Sequence, residues 1–303
     1  WLRPLPQAVQ MDDTGAAGPL LLYPDGLNQH CGIFFSLFGN PGHLYARFPG
    51  THPALRQPHP LQAITGACLA VRRVDFETCG GFHEGYRNGY EDMDLCFALR
   101  RRNQRLRVVP ESVVIHHEGR TPGRKAHNDA NADLFASRWG DAARPDIHRL
   151  ASMDGYTACL NAQLVTYLRP CDERLRELAA TPDREEALRN ALEKEPLWLR
   201  GRLRLAALQE ERGQQAAALE SLGEAVSFFP VPEAQRALLT CARRQGNTAL
   251  AEAALNMLRD APEAARERSR RVRQARVMAE RHGDHLLTGI LDGWLHSQGG
   301  VAR

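Results

Sequence analysis

The 303-residue chain reads as an α/β part followed by an all-α part. Three observations lead to that reading. Up to about residue 145 Gly, Pro and His are frequent and short β-like runs appear, whereas from about residue 175 Ala, Leu, Glu and Arg dominate. Short apolar runs closed by turn signals in the first part alternate with helical segments, the pattern of an α/β layer. Small residues in the second part recur at a fixed period, which indicates stacked helix pairs. The expected organisation is 1–145 for the α/β part, 146–180 for a connecting helical or irregular region around Pro170, and 181–303 for helical repeats.

In chain order, Gly18–Gly26 (GPLLLYPDG) is an apolar run ending in the turn signal Pro24-Asp25-Gly26. Residues 63–71 (AITGACLAV) read as a buried strand, and Cys79-Gly80-Gly81 as a flexible loop. A helix is predicted from Glu91, because Glu91, Asp92 and Asp94 lie in its first turn, Arg100, Arg101 and Arg102 at its end, and Leu95 and Leu99 on one face. That charge order suits the helix dipole. Two further β-like runs, Leu106–Val109 and Val113–Ile115, are separated by Pro110-Glu111-Ser112, and the second runs into His116-His117. Another helix is expected over Asp129–Trp139.

In the second part Gly213, Ala218, Leu222, Ala225 and Pro230 are followed, 33 residues on, by Gly246, Ala251 and Leu255, with Leu258 in place of the second Ala and Pro262 one residue early. These spacings resemble a tetratricopeptide helix pair: Gly makes the turn and Ala lets the helices approach. Two units and a degenerate one make a short array, so it is expected to lean on neighbouring structure.

Composition excludes several classes. A net charge of +3 and a pI near 8.5 are too mild to argue for nucleic-acid binding. No run of eighteen apolar residues suggests a transmembrane helix, and no leader pattern opens the chain. Because the chain begins at Trp1 instead of Met, its true N-terminus is expected upstream. The seven cysteines are odd in number and form no C-x-x-C pair, so reduced thiols in a cytoplasmic compartment are expected, and neither a disulfide framework nor a zinc ribbon.

The chemistry-bearing stretch runs from Thr65 to Arg124: TGACLAVRR, then CGGFHEGYRNGYEDMDLCFALRRR, then RVVPESVVIHHEGRTPGR. It resembles the C-terminal, acceptor-side half of family 2 glycosyltransferases of the GT-A fold. That family has a Gly-Gly-Phe loop, a Glu-Asp-x-Asp-Leu-Cys helix start and a strand ending in His-x-Glu. Trp1-Leu2, the GPLLLYPDG run and Gln29-His30-Cys31-Gly32 fit the segment after the family's metal-binding Asp-x-Asp, so the likeness covers about the first 140 residues.

The resemblance implies an α/β fold that is a partial GT-A domain with its N-terminal nucleotide-binding half missing. It also implies an inverting transfer of a sugar from a nucleotide-diphosphate donor to the hydroxyl of a glycan or glycoconjugate acceptor. Asp92 matches the family's general base, needed because a hydroxyl is a poor nucleophile at neutral pH. Glu91 would bind or orient the acceptor, and Gly80 and Gly81 would let backbone approach a sugar. His116 would join the shell of a Mg²⁺ or Mn²⁺ ion that balances the leaving diphosphate. Arg120, Thr121 and Arg124 are candidates for phosphate contact. As given, the chain is expected to be inactive, and the activity belongs to a longer parent.

Plainer readings stand beside these. Glu91, Asp92 and Asp94 also suit a helix N-terminus on charge alone. His116 and His117 alternate along a strand, so at most one faces a site. Asp92-Met93-Asp94 is not the donor's metal motif, because it opens a helix. Phe135 stands where processive relatives have the Gln of Gln-x-x-Arg-Trp, so a single-addition enzyme fits better. His116, His117 and His127 lack H-E-x-x-H spacing, against a zinc hydrolase. The Arg266–Arg281 segment, with seven arginines, suits either a solvated helix face or contact with anionic lipid or an acidic partner. The expected location is cytoplasmic, with peripheral contact at the inner face of the membrane. The competing functional reading is a non-catalytic scaffold whose helical repeats bind a protein partner beside a decayed transferase half.

Overall fold

A computed structural model describes residues 1–117, 127–259 and 262–299. They form two compact units, Trp1–Leu150 and Ala151–Arg303. The first opens with helix α1 (Pro4–Val9) and strand β1 (Thr14–Leu22), then short strands β2 (Asn28–His30), β3 (Ile33–Phe35), β4 (Pro41–His43) and β5 (Ala70–Val71). Helices α2 (Arg73–Thr78) and α3 (Glu91–Arg101), strand β6 (Arg105–Ile115) and helix α4 (Asn128–Trp139) complete it, and α5 (Ile147–Met153) crosses the division between the units.

Strand β1 is buried along eight of its nine residues, as an apolar run covered on both faces requires. It pairs in parallel with β6 along its length, from Thr14↔Arg105 to Leu22↔Ile115. On its other side β5 pairs with its start and β2 with its end, both antiparallel. The mixed α/β sheet expected from sequence is therefore present. The two β-like runs 106–109 and 113–115 are one strand. The ladder skips between Val109 and Val113, where Pro110 cannot donate and Ser112 turns inward to donate to the Trp1 carbonyl at 2.5 Å.

The expected buried strand 63–71 is a correction. Only Ala70–Val71 is strand, and Thr65 to Ala67 form a turn. The amides of Thr65 and Gly66 are taken by side chains, His30 Nε2 at 3.3 Å and Asp92 Oδ2 at 2.7 Å, and so are withheld from a ladder. The Cys79-Gly80-Gly81 loop is also ordered. Gly80 (φ +83°) and Gly81 (φ +72°) are left-handed and cap α2, with the Gly81 amide donating to the Phe76 carbonyl at 2.9 Å.

Helix α3 forms where the charge pattern places it. Its buried side carries Leu95, Phe97 and Leu99, and Phe97 meets Phe35 and Phe135 edge-on, with ring centres 5.8 and 5.2 Å apart. Asp94, 3% exposed, fastens α3 to α4. Its Oδ1 accepts from Tyr86 OH (3.0 Å), Arg138 Nε (2.6 Å) and Trp139 Nε1 (2.6 Å). Burial alone would raise this carboxyl, but those donors outweigh it and hold it below the ordinary range. Asp146, 7% exposed, closes the unit's far side: it accepts from the Phe35 amide at 2.7 Å and from Gln62 Nε2 at 2.5 Å. Here burial prevails over its donors and the carboxyl is pushed up to about 6.

The second unit begins with a hairpin absent from the sequence reading of 146–180: β7 (Tyr156–Leu160) against β8 (Thr166–Pro170). Asn161 shapes its turn by accepting from the amides of Gln163 and Val165 at 2.9 and 2.8 Å. Helices α6 (Asp172–Ala179), α7 (Glu185–Lys194), α8 (Leu199–Glu211), α9 (Gln215–Phe228), α10 (Pro232–Arg244), α11 (Thr248–Leu258), α12 (Pro262–Arg281) and α13 (His285–Gly299) follow. The many-helix second part is thus as expected. The pairs α8–α9, α10–α11 and α12–α13 each turn at a left-handed glycine, Gly213, Gly246 or Gly283. Ala218, Leu222, Ala225 and Ala251 of the repeat pattern are buried between helices.

Two outcomes follow. Asp94→Ala leaves a buried indole N–H, a phenol and a guanidinium without their acceptor, and should cost about 3 kcal/mol, discounted because Arg138 is one-third exposed. Urea unfolding monitored by tryptophan fluorescence reads this, and a loss under about 1 kcal/mol would remove the clamp from the core. Asp146 has a folded-state pKa above its unfolded value, so its contribution is present below about pH 4 and lost as pH rises through about 6, by roughly 3 kcal/mol. Asp146→Asn should flatten that slope in unfolding curves taken across the same range; an unchanged slope would assign it to another group.

Candidate functional site

One site candidate, His116, stands at the C-terminal end of β1, the end at which parallel α/β sheets carry their ligands. There β6 and β2 flank β1 from opposite sides, with Leu22 paired to Ile115 and Leu21 to His30. The next residue of β6 is His116, and its amide donates to the Leu22 carbonyl at 2.9 Å. Its neighbour Gln29 on β2 reaches over the strand end. The His116 Nδ1–H donates to Gln29 Oε1 at 2.7 Å, and the other amide atom, Nε2, faces the His116 carbonyl at 3.5 Å. Since Oε1 can only accept, the ring carries a proton on Nδ1, which in a neutral imidazole makes Nε2 the lone-pair nitrogen. That is the tautomer and second contact of a metal-ligating imidazole. His116 is half-buried and His117 exposed, so the strand alternation selects His116.

His30, beside Gln29, is buried. Its Nε2 accepts the Thr65 amide at 3.3 Å and its Nδ1 meets His43 Nδ1 at 2.8 Å. Burial, then the neighbouring His43, hold it well below the usual histidine range, so it is a neutral part of the frame. The next amide, Gly66, donates to Asp92 Oδ2 at 2.7 Å, and Met93 N–H donates to Asp92 Oδ1 at 2.8 Å. Burial is the largest influence on Asp92 and raises its carboxyl above the ordinary range; these amides oppose it and the Glu91 charge adds to it. The contacts Asp92–Gly66, Thr65–His30 and Gln29–His116 thus form one framework with the carboxylate at one end and the imidazole at the other.

The entry to α3 is unusual backbone. Asn88, Gly89 and Tyr90 all have positive φ (58°, 149° and 74°), a conformation that costs energy at the non-glycine positions. Two side chains hold it. Glu91 Oε2 accepts from the Gly89 amide at 2.7 Å. Asn131 of α4, which is buried, donates to the carbonyls of Arg87 and Gly89, both at 2.9 Å, and accepts the Arg87 amide at 3.1 Å. Glu91 therefore stiffens the turn that presents Asp92, and keeps Oε1 for another donor.

Glu91 and Asp92 open α3 and His116 follows β6, and Asp92 is linked to His116 only through the Gly66, Thr65, His30 and Gln29 contacts. The structure puts Gly80 and Gly81 into the cap of α2, a conformational role independent of any ligand. Arg120, Thr121 and Arg124 lie outside the described residues. Gln29, His30 and Gly66 were quoted in the sequence motifs without a role; Asn131 carried no sequence signal. Asp94 is wholly engaged in the α3–α4 clamp, so Asp92-Met93-Asp94 is not a paired metal motif here. Among the described residues no three His, Cys, Asp or Glu side chains gather closely enough to hold a metal ion. These residues do not make a metal site by themselves.

A comparison with models of known protein families matches none. Uncharacterized protein y4gI of Sinorhizobium fredii is 32% identical over 152 residues, 46% of this chain and 16% of that protein. O-antigen biosynthesis protein RfbC of Myxococcus xanthus is 31% identical over 142 residues, 45% of this chain and 11% of its own length. N-acetylglucosaminyl-diphospho-decaprenol L-rhamnosyltransferase of Mycobacterium tuberculosis is 32% identical over 143 residues, 41% of this chain and 46% of the enzyme. The chain spans less than half the length of each of these relatives. Over a little under half of its own length it is thus distantly homologous to proteins of glycan biosynthesis, a glycosyltransferase among them.

Proposed function

We propose that the chain is the acceptor-side part of an inverting, metal-dependent glycosyltransferase that moves a sugar from a nucleotide-diphosphate donor to an acceptor hydroxyl. The observation that supports this reading is Asp92: a carboxylate held by two backbone amides, raised in basicity by burial, and linked through Gly66, Thr65, His30 and Gln29 to His116 at the end of the parallel strand pair. A base whose pKa moves toward neutrality takes a hydroxyl proton more readily in the transition state. In the reaction Asp92 removes the acceptor's proton as its oxygen attacks the sugar carbon from the face opposite the diphosphate. Glu91 Oε1 orients the acceptor, since Oε2 is spent on the turn. Arg120, Thr121 and Arg124 remain the candidates for donor phosphate.

A divalent Mg²⁺ or Mn²⁺ would supply positive charge to the departing diphosphate. His116 Nε2 would be its ligand from this chain, and the remaining ligands would come from elsewhere. The donor-binding strands are placed along β6, whose outer edge carries no ladder among the described residues. The helical unit, read as tetratricopeptide-like, would dock a protein partner. No helix among the described residues is long and apolar enough to cross a membrane. A cytoplasmic protein at the inner face of a membrane is the location proposed, and an N-acetylglucosaminyl-diphospho-polyprenol is a first acceptor to try, given the name of the mycobacterial relative.

The test is sugar transfer by the full-length polypeptide from a panel of labelled nucleotide-diphosphate sugars, with Mg²⁺ or Mn²⁺ present. Asp92→Asn should lower kcat by about 10²–10⁴-fold while the unfolding midpoint stays close to that of the parent. A near-normal rate in the variant would take Asp92 out of the mechanism. No transfer by the parent with any donor would favour the scaffold reading, in which the helical unit carries the function.

A further inference from the structure

The second unit ends in a helix pair whose outer surface has a chemistry that the transfer reaction does not use. Helix α12 buries Val272 and Ala279, and α13 buries Leu287, Leu291 and Trp294. On the opposite side of α12 the 3.6-residue period lines up Arg266, Arg270, Arg273, Val277 and Arg281, all exposed. At 1.5 Å per residue this stripe is about 22 Å long.

The arginines are not committed to the fold. Arg266, Arg273 and Arg281 meet no carboxylate among the described residues, and Arg270 reaches only Glu267 at 3.1 Å, in a pair open to solvent and easily screened. Arg276, by contrast, turns inward to Asp292 and Glu280 and belongs to the packing. One apolar side chain, Val277, interrupts the basic stripe. Val277 is 43% exposed, Met278 beside it 46%, and Leu286 at the start of α13 48%. Exposed Glu267 and Glu280 flank the face, leaving it with more positive than negative charge.

We propose that this face of α12 binds the surface of an anionic lipid bilayer. Guanidinium groups pair with lipid phosphates, while Val277 within the stripe enters the boundary between headgroups and acyl chains. Charge complementarity sets the sign of the partner. The exposed Val277 among the arginines favours a lipid surface over an acidic protein tail or a nucleic acid, which would leave it without a role. The inference does not depend on the transfer reaction. A transferase held this way would meet an acceptor carried in the same membrane.

The experiment is co-sedimentation of the full chain with vesicles of phosphatidylcholine alone and of phosphatidylcholine mixed with phosphatidylglycerol, at low and high salt. Binding is expected only with phosphatidylglycerol present and should fall as salt rises. The R266Q/R273Q/R281Q variant should partition at least about tenfold more weakly, and R266K/R273K/R281K close to the parent, both with unchanged circular dichroism. The lysine variant separates loss of charge from loss of fold. Equal binding to neutral and anionic vesicles, no binding to either, or a glutamine variant that binds like the parent would each overturn the proposal.

Discussion

The parallel ladder between β1 and β6 is the constraint on which the first unit rests. Parallel strands cannot be joined by a tight turn, so the chain between them must cross over. In doing so it builds β2 to β5, α2 and α3. Because β1 has β6 on one flank and β2 on the other at the same end, Gln29 and His116 meet across it. The imidazole is thereby oriented by a partner 87 residues earlier in sequence. The carboxylate side depends on the same crossover. The 63–67 segment passes between β2 and α3, giving one amide to His30 and the next to Asp92.

Three acidic residues in the first turn of α3 show how environment assigns roles. All three suit the positive end of a helix dipole. Asp94, met by an indole, a phenol and a guanidinium, is held ionised and serves packing. Glu91 folds back onto the turn before it and tightens a left-handed backbone. Asp92, half-buried, meets only amides, and its carboxyl is the one of the three raised above the ordinary range. A group left short of compensation in this way is the one with chemistry to offer.

Much of this was legible from sequence. The acidic start and basic end of α3 matched its limits, and the GPLLLYPDG run located the last five residues of β1 and the turn after it, while Thr14–Ala17 went unread. Strand alternation allowed only one of His116 and His117 to face a site, without by itself saying which. What escaped was long-range. The 63–71 run has the composition of a buried strand, yet two of its amides bond to side chains 35 and 26 residues away, which no local pattern records. Asn131 looks like any polar residue early in a helix, although it grips a turn more than 40 residues upstream. The break in β6 was visible as Pro110, but not that the strand would resume in register with the same partner. The β7–β8 hairpin was hidden because Asn161 sets its turn through its own side chain.

Gly66 has a consequence of another kind. A Cβ placed there would lie 3.0 Å from that of Asp92 and 3.5 Å from its Oδ2, so the close approach of amide to carboxylate depends on a missing methyl group. Position 66 therefore works as a spacer gauge for the acid. A homologue with a side chain at this position could keep its Glu-Asp pair in full view and yet have to shift its acid by a few tenths of an ångström to seat it. In sorting working from silent versions of this domain, the glycine carries information that the acid alone does not.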